Sequence, residues 1–108
     1  MVLPEKPIKP RKKKASPEQE IQRDIIKLLK DKGFYVFKNQ QGFGSETGVA
    51  DLYCIKQGVS AWIEVKAPNG RLSEAQKYFR DIILYHQGTW IEARSTNDIQ
   101  TWCVNYGL

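Results

Sequence analysis

Asp51 and the triplet Glu64-Val65-Lys66 put two carboxylates and an ammonium at the ends of two short apolar runs, where a small domain ordinarily keeps hydrophobic side chains. On an extended strand alternate residues share a face, so Glu64 and Lys66 project together while Val65 points the other way. Taking such charges out of water costs several kcal/mol each unless they are paired or hold a metal. Asp51, Glu64 and the backbone carbonyl of Val65 make an oxygen-only donor set of the kind that suits Mg²⁺ or Mn²⁺. A cation of that kind polarises a phosphoryl oxygen and lowers the pKa of water. Lys66 beside it would orient or help deprotonate the attacking water, or neutralise charge on a pentacovalent transition state. A plain ion pair leaves the same letters, so the elements that carry them decide between the two readings.

Those elements are legible in order. Ser16-Pro17-Glu18-Gln19 reads as an N-cap, a proline at the first helical position and a capping-box glutamine, followed by Ile21, Ile25, Leu28 and Leu29 at helical spacing and stopped by Gly33. Phe34 to Phe37 is a strand by composition, and the polar, glycine-rich Asn39 to Gly48 is a mobile loop. Asp51 to Ile55 and Ala61 to Ala67 are strands joined at Gln57-Gly58 into a hairpin, which brings Asp51 to the end where Glu64 and Lys66 stand. Pro68-Asn69-Gly70 breaks the sheet. Ser73-Glu74-Ala75-Gln76 then repeats the capping-box pattern before a helix carrying Phe79, Ile82 and Ile83 and closed by Gly88. Thr89 to Ala93 is a fourth strand, and Ser95 caps a last short helix with Ile99, Trp102 and Val104. The αβββαβα order implies one parallel crossover, hence a mixed α/β sheet flanked by helices.

At 108 residues the chain accommodates one compact domain, and its net charge of +5 is unevenly placed. Residues 1–15 hold Lys6, Lys9, Arg11, Lys12, Lys13 and Lys14 against Glu5, which accounts for the whole excess and leaves residues 16–108 balanced. The division expected is a basic, proline-rich flexible tail over 1–15 and a catalytic domain over 16–108. Pro4, Pro7 and Pro10 recur at the polyproline II period, and the tail has too few apolar residues to fold alone. It reads as a tether to nucleic acid through Lys12, Lys13 and Lys14, as a solubilising leader or as a proline-motif docking peptide. The sequence shows no apolar run of membrane length and no secretory leader. Cys54 and Cys103 lie apart in apolar stretches, as reduced packing thiols would. These features raise the expectation of a cytoplasmic protein, in the cytoplasm of a host if the chain is viral. The glycines at 42, 44 and 48 lack the ending of a phosphate-binding P-loop, so no nucleotide cofactor is expected.

Taken together, Glu20, Gly48-Val49-Ala50-Asp51, Glu64-Val65-Lys66, and Pro68-Asn69-Gly70-Arg71-Leu72-Ser73 ending in Gln76 resemble the virus-type replication-repair nuclease (VRR-NUC) branch of the PD-(D/E)xK nuclease superfamily. The resemblance runs over nearly everything from Ser16 onward. It implies a restriction-endonuclease-like αβββαβ core in which Asp51 and Glu64 bind the metal and Lys66 is catalytic. By the same likeness Glu20 reaches the metal from the first helix, and Gln76 braces the site. Ala50 stands where the superfamily pattern has proline, a position that shapes backbone and carries no chemistry. The family further implies a homodimer acting on structured DNA such as Holliday junctions or flaps in replication, repair or recombination. The activity expected is therefore that of a Mg²⁺- or Mn²⁺-dependent endonuclease. Its rivals are a non-catalytic nucleic-acid-binding module on the same fold and a restriction-type enzyme that reads duplex sequence.

Several of these residues also have simpler readings. Glu20 in a first helical turn complements the helix dipole, and Gln76 at the third helical position completes a capping box. Arg71 and Lys77 flank the site as phosphate ligands or as solvated surface charges. Phe43 stacks on an unpaired base or anchors its loop. His86 near a helix end is a dipole partner, and Trp62, Trp90 and Trp102 belong to the core.

Overall fold

The computed structural model describes residues 15–108; Lys12, Lys13, Lys14 and the rest of residues 1–14 lie outside the described residues. The element order is α1 (Pro17–Asp31), β1 (Tyr35–Lys38), β2 (Leu52–Lys56), β3 (Val59–Val65), α2 (Glu74–Tyr85), β4 (Trp90–Ala93) and α3 (Thr96–Asn105). The four strands form one sheet in the order β1-β2-β3-β4. The first two pairings are antiparallel and the last is parallel, as the single crossover through α2 requires. The mixed sheet and its αβββαβα order are those expected from the sequence.

Local chemistry sets the boundaries. The Ser16 hydroxyl accepts from the Gln19 N–H while Gln19 Oε1 accepts from the Ser16 N–H, so two orphan donors of α1 are satisfied reciprocally. Ser73 and Gln76 repeat the device at the start of α2. Gln57 and Gly58 both have positive φ, 51° and 82°, the backbone of a two-residue hairpin turn between β2 and β3. One expected stop and one expected start work differently. After α2 the left-handed residue is Gln87 (φ 62°) rather than Gly88. Gly88 is needed for space, since a Cβ there would lie 2.8 Å from Ile83 Cγ2. Ser95 occupies the N-cap of α3 but makes no side-chain cap bond. The Asp98 carboxylate, at the third helical position, accepts from the Arg94 N–H instead.

The sheet has two unlike faces. Ile25 and Leu29 of α1 and Ile99, Trp102 and Cys103 of α3 bury one face against Val36, Cys54, Ala61, Ile63 and Val65, forming the main core. Fully burying each large aliphatic side chain there stabilises the fold by about 1.5–3 kcal/mol. Cys54 and Cys103 are buried free thiols, and burial pushes the Cys54 thiol up to about 12, which keeps it unreactive. The other face carries a smaller cluster of Val49, Ala50 and Phe79, with Trp62, Trp90 and Ile83 half-buried around it. No described helix is long and apolar enough to cross a membrane.

Gly48 joins the loop to this second cluster. Its φ is +74°, and a Cβ there would sit 2.1 Å from the Ala75 carbonyl oxygen in the first turn of α2. The segment leading to Asp51 therefore rests directly on α2 backbone. Gly44 has a similar φ of +88° with open space around it. Gly44→Ala should cost about 1–2 kcal/mol, the ordinary left-handed penalty, whereas Gly48→Ala should cost at least about 3 kcal/mol because backbone must also move. Urea denaturation checks this, and equal losses in the two variants would contradict the close approach.

Candidate active site

β2 and β3 are paired with Leu52 opposite Ile63, so Asp51, one residue before β2, falls opposite Glu64. Both side chains lie on the α2 face of the sheet. Asp51 is held by its neighbours: its Oδ2 accepts from the Val65 N–H at 2.8 Å, and its carbonyl accepts from the Asn39 N–H. The Asn39 and Gln41 side-chain amides donate to the Ala50 and Val49 carbonyls, bracing the same segment.

Glu64 is 1% exposed, the sole charged side chain among the buried described residues. Its Oε1 accepts from Gln76 Nε2 at 2.9 Å and lies 3.9 Å from Lys66 Nζ. Its Oε2 is buried with no hydrogen-bond partner. Gln76 makes two hydrogen bonds, its Oε1 accepting from the Ser73 N–H and its Nε2 donating to Glu64 Oε1, so the capping box that starts α2 also orients the carboxylate. Lys66 directly follows β3, and its ammonium is largely buried beside Glu64. The turn after it is clamped by Arg94, whose Nη1 donates to the Ala67 and Pro68 carbonyls.

The helical contribution needs correction. The carboxylate that joins Asp51 and Glu64 is that of Glu18, and oxygens of the three lie within 4.8 Å of one another. Glu20 is exposed and outside this group. Glu18 precedes Ile21 by three residues and Ile25 by seven, so it lies on the inward stripe of α1, whereas Glu20 is rotated away from it. That periodicity was readable in the sequence.

Of the other candidates, Arg71 is exposed just before α2, and Lys77 pairs with Glu74 at 3.2 Å. Phe43 is fully exposed between Gly42 and Gly44, not the half-buried anchor of its simpler reading. His86 is the C-cap of α2. Two cations not singled out in the sequence adjoin the site instead. A cleft of about 270 Å³ lined by Ser16, Glu18, Gln19, Gln22 and Asp51 shares Gln19 and Gln22 with a second of about 340 Å³, which holds Arg23 and Lys38. No local motif marks those two, because one is on α1 and the other on β1.

Among solved structures, a chain described as a VRR_NUC domain superposes with a TM-score of 0.73 at 20% sequence identity, over 85% of this chain and 99% of its own. The chain has the VRR_NUC fold. Neither family models nor curated protein sequences match it. The VRR_NUC fold thus arises here from a sequence in which four-fifths of the aligned residues differ.

The residues present fit a divalent cation. Three carboxylates face one ammonium, all donors are oxygen, and Glu64 Oε2 has no partner. Crowding of this kind weakens a carboxylic acid: burial first, then the Asp51 charge, push the Glu64 carboxyl from 4.5 up to about 8, against the pull of Lys66. A carboxyl whose folded pKa exceeds its unfolded one contributes its full stability below about pH 4.5 and loses it as pH rises through about 8. Metal-free protein should therefore melt at falling temperature across that window, and Mg²⁺ or Mn²⁺ should oppose the fall. Glu64→Gln should flatten the slope; an equally steep slope in that variant, by calorimetry in EDTA, would contradict the assignment.

Proposed function

We propose that this domain is a Mg²⁺- or Mn²⁺-dependent endonuclease that hydrolyses DNA phosphodiester bonds, selecting structured DNA of the Holliday-junction or flap type. The observation that carries the reading is the convergence of Glu18, Asp51 and Glu64 around a partnerless buried oxygen, with Lys66 beside them. The VRR_NUC fold supports it.

In this reading Glu18, Asp51 and Glu64 hold the cation, with the Val65 carbonyl as a further oxygen donor. The ion supplies charge neutralisation at a phosphoryl oxygen and makes water more acidic. Gln76 keeps the Glu64 carboxylate in one orientation, which spares reorganisation during reaction. Lys66 Nζ orients the attacking water and offsets charge on the pentacovalent phosphorus. Arg23 and Lys38 hold phosphates on one side of the scissile bond, and Arg71 and Lys77 on the other. Lys12, Lys13 and Lys14 add a salt-dependent tether. Phe43, exposed on its glycine-flanked loop, stacks on an unpaired base at a branch. The completeness of the acidic group and its lysine favours an enzyme over a binding module, because binding alone needs no buried carboxylates.

Labelled junction and flap DNA incubated with Mg²⁺ or Mn²⁺ should be cut in preference to single-stranded and linear duplex DNA, and EDTA should abolish the cuts. Glu64→Ala and Lys66→Ala should each lose roughly 10²–10³-fold or more in rate, and Glu18→Ala should lose far more than Glu20→Ala. Undiminished cutting by both Glu64→Ala and Lys66→Ala would overturn the proposal. In EDTA, Arg23→Ala combined with Lys38→Ala should weaken DNA binding and reduce its salt slope by about 1.4–1.8, as loss of two phosphate contacts requires. An unchanged slope would remove those residues from the DNA path.

A further inference from the structure

The second, smaller core cluster does not end where α2 ends. A train of aromatic rings runs from it into solvent: Phe79 to Trp62 at 5.3 Å, Trp62 to Tyr53 at 4.8 Å, Tyr53 to Phe37 at 5.7 Å and Phe37 to Tyr35 at 5.8 Å. Tyr35 is paired with Ile55, and Phe37 with Tyr53, so these side chains share the sheet face opposite the main core. The described residues leave this half-sheet bare, with Tyr35 67% and Phe37 42% exposed.

One flank of α2 forms a wall beside it. Phe79 packs on Trp62 of β3, and Arg80 lies over Trp90 of β4, 5.9 Å from its ring centre. The helix surface on the other side of Phe79 therefore looks toward β2. That side carries Tyr78, Ile82 and Tyr85, three and four residues apart and all exposed. Glu74 and Asp81 precede Tyr78 and Tyr85 by four residues each and edge the stripe with acid. Their partners, Lys77 and Arg80, are neighbours on the same helix in surface contacts of little strength, so both carboxylates stay open to other cations. Floor and wall are aromatic, and the rim is acidic.

Such a groove suits a proline-rich basic peptide, because polyproline II segments dock on aromatic-lined grooves and their cations meet acids at the rim. A phosphate backbone would meet carboxylates there instead. We infer that the occupant is the chain's own segment Pro4–Pro10, which lies outside the described residues, with its prolines on Tyr35, Phe37 and Tyr53 and its lysines toward Glu74 and Asp81. The point of attachment is adjacent. Ala15 lines the cleft that holds Lys38, the residue after Phe37, and β1 is an edge strand of the sheet. The five residues from Pro10 to Ala15 reach up to ~17 Å, enough to round that edge onto Phe37. One turn of polyproline II rises about 9 Å, comparable to two steps of the ring train, so prolines three apart each find a ring. On a helix of three residues per turn Pro4, Pro7 and Pro10 share one edge while Lys6 and Lys9 share another, which turns the lysines to the rim. Because Ala15 adjoins Ser16 of the cleft that contains Glu18 and Asp51, the docked segment also holds the cations at 11–14 beside the acidic site.

Docking needs no nuclease activity, so its test uses the full chain in EDTA without DNA. A nitroxide on Ile8→Cys marks the segment selectively, since Cys54 and Cys103 are buried. Amide resonances of Phe37, Tyr53 and Tyr78 in the isotope-labelled protein should lose more than half their intensity. That of Val104, exposed on α3 across the sheet, should keep it. Pro4→Ser, Pro7→Ser and Pro10→Ser together should restore the three resonances, and so should Tyr35→Glu combined with Tyr78→Glu. Full intensity at all three positions, or losses that survive both sets of substitutions, overturns the proposal. Losses seen only when the nitroxide and the isotope are on different chains overturn it as well, by giving the groove to another copy's segment. So do losses centred on Asp51 and Glu64 that vanish in high salt, which would reduce the contact to attraction between the lysines and the acidic site.

Discussion

The structure is organised around a carboxylate in the wrong place. Glu64 is buried on a sheet strand where its neighbours at 63 and 65 are aliphatic core, and ionised it would face Asp51 and Glu18 with one ammonium in reach. Such a group costs stability in any fold that does not use it. Here the surroundings hold it rather than relieve it. One oxygen is fixed by Gln76, the other is left without a partner, and the opposing aspartate is itself pinned by the Val65 N–H.

Much of the remaining architecture follows from keeping that group in place. The α2 N-terminus is set by a capping box whose glutamine also reaches Glu64, so displacing the helix would misdirect the carboxylate. Gly48 lets the strand that delivers Asp51 pass against the same helical turn. Arg94 ties down the turn that follows Lys66, and the Asn39 and Gln41 amides secure the approach to Asp51. The main core on the far side of the sheet is conventional packing that makes the strands rigid. The site face is thinner and less complete, and its aromatic side chains spill into solvent beyond α2.

Sequence reasoning reached most of this because the decisive signals are local. Two Ser-x-x-Gln boxes mark two helix starts, a Gln-Gly turn marks the hairpin, and the hairpin register makes Asp51 and Glu64 neighbours. The family resemblance pointed to Glu20, whereas counting along the hydrophobic stripe of α1 selects Glu18. Sequence reasoning placed the α2 stop at Gly88 where Gln87 takes the left-handed conformation and Gly88 clears Ile83. Arg23 and Lys38 were out of reach, since their proximity depends on how α1 lies across the end of β1. The bare half-sheet was equally hidden, because alternation in β1 and β2 reads the same whether or not a helix covers the second face.

The most direct measurement is anomalous scattering from crystals grown with Mn²⁺. A peak within coordination distance of carboxylate oxygens of Glu18, Asp51 and Glu64, with Gln76 Nε2 still on Glu64 Oε1, is the expected result. Density at full Mn²⁺ loading that shows no ion among those three side chains, or an ion bound elsewhere with Glu64 turned away, would contradict the account.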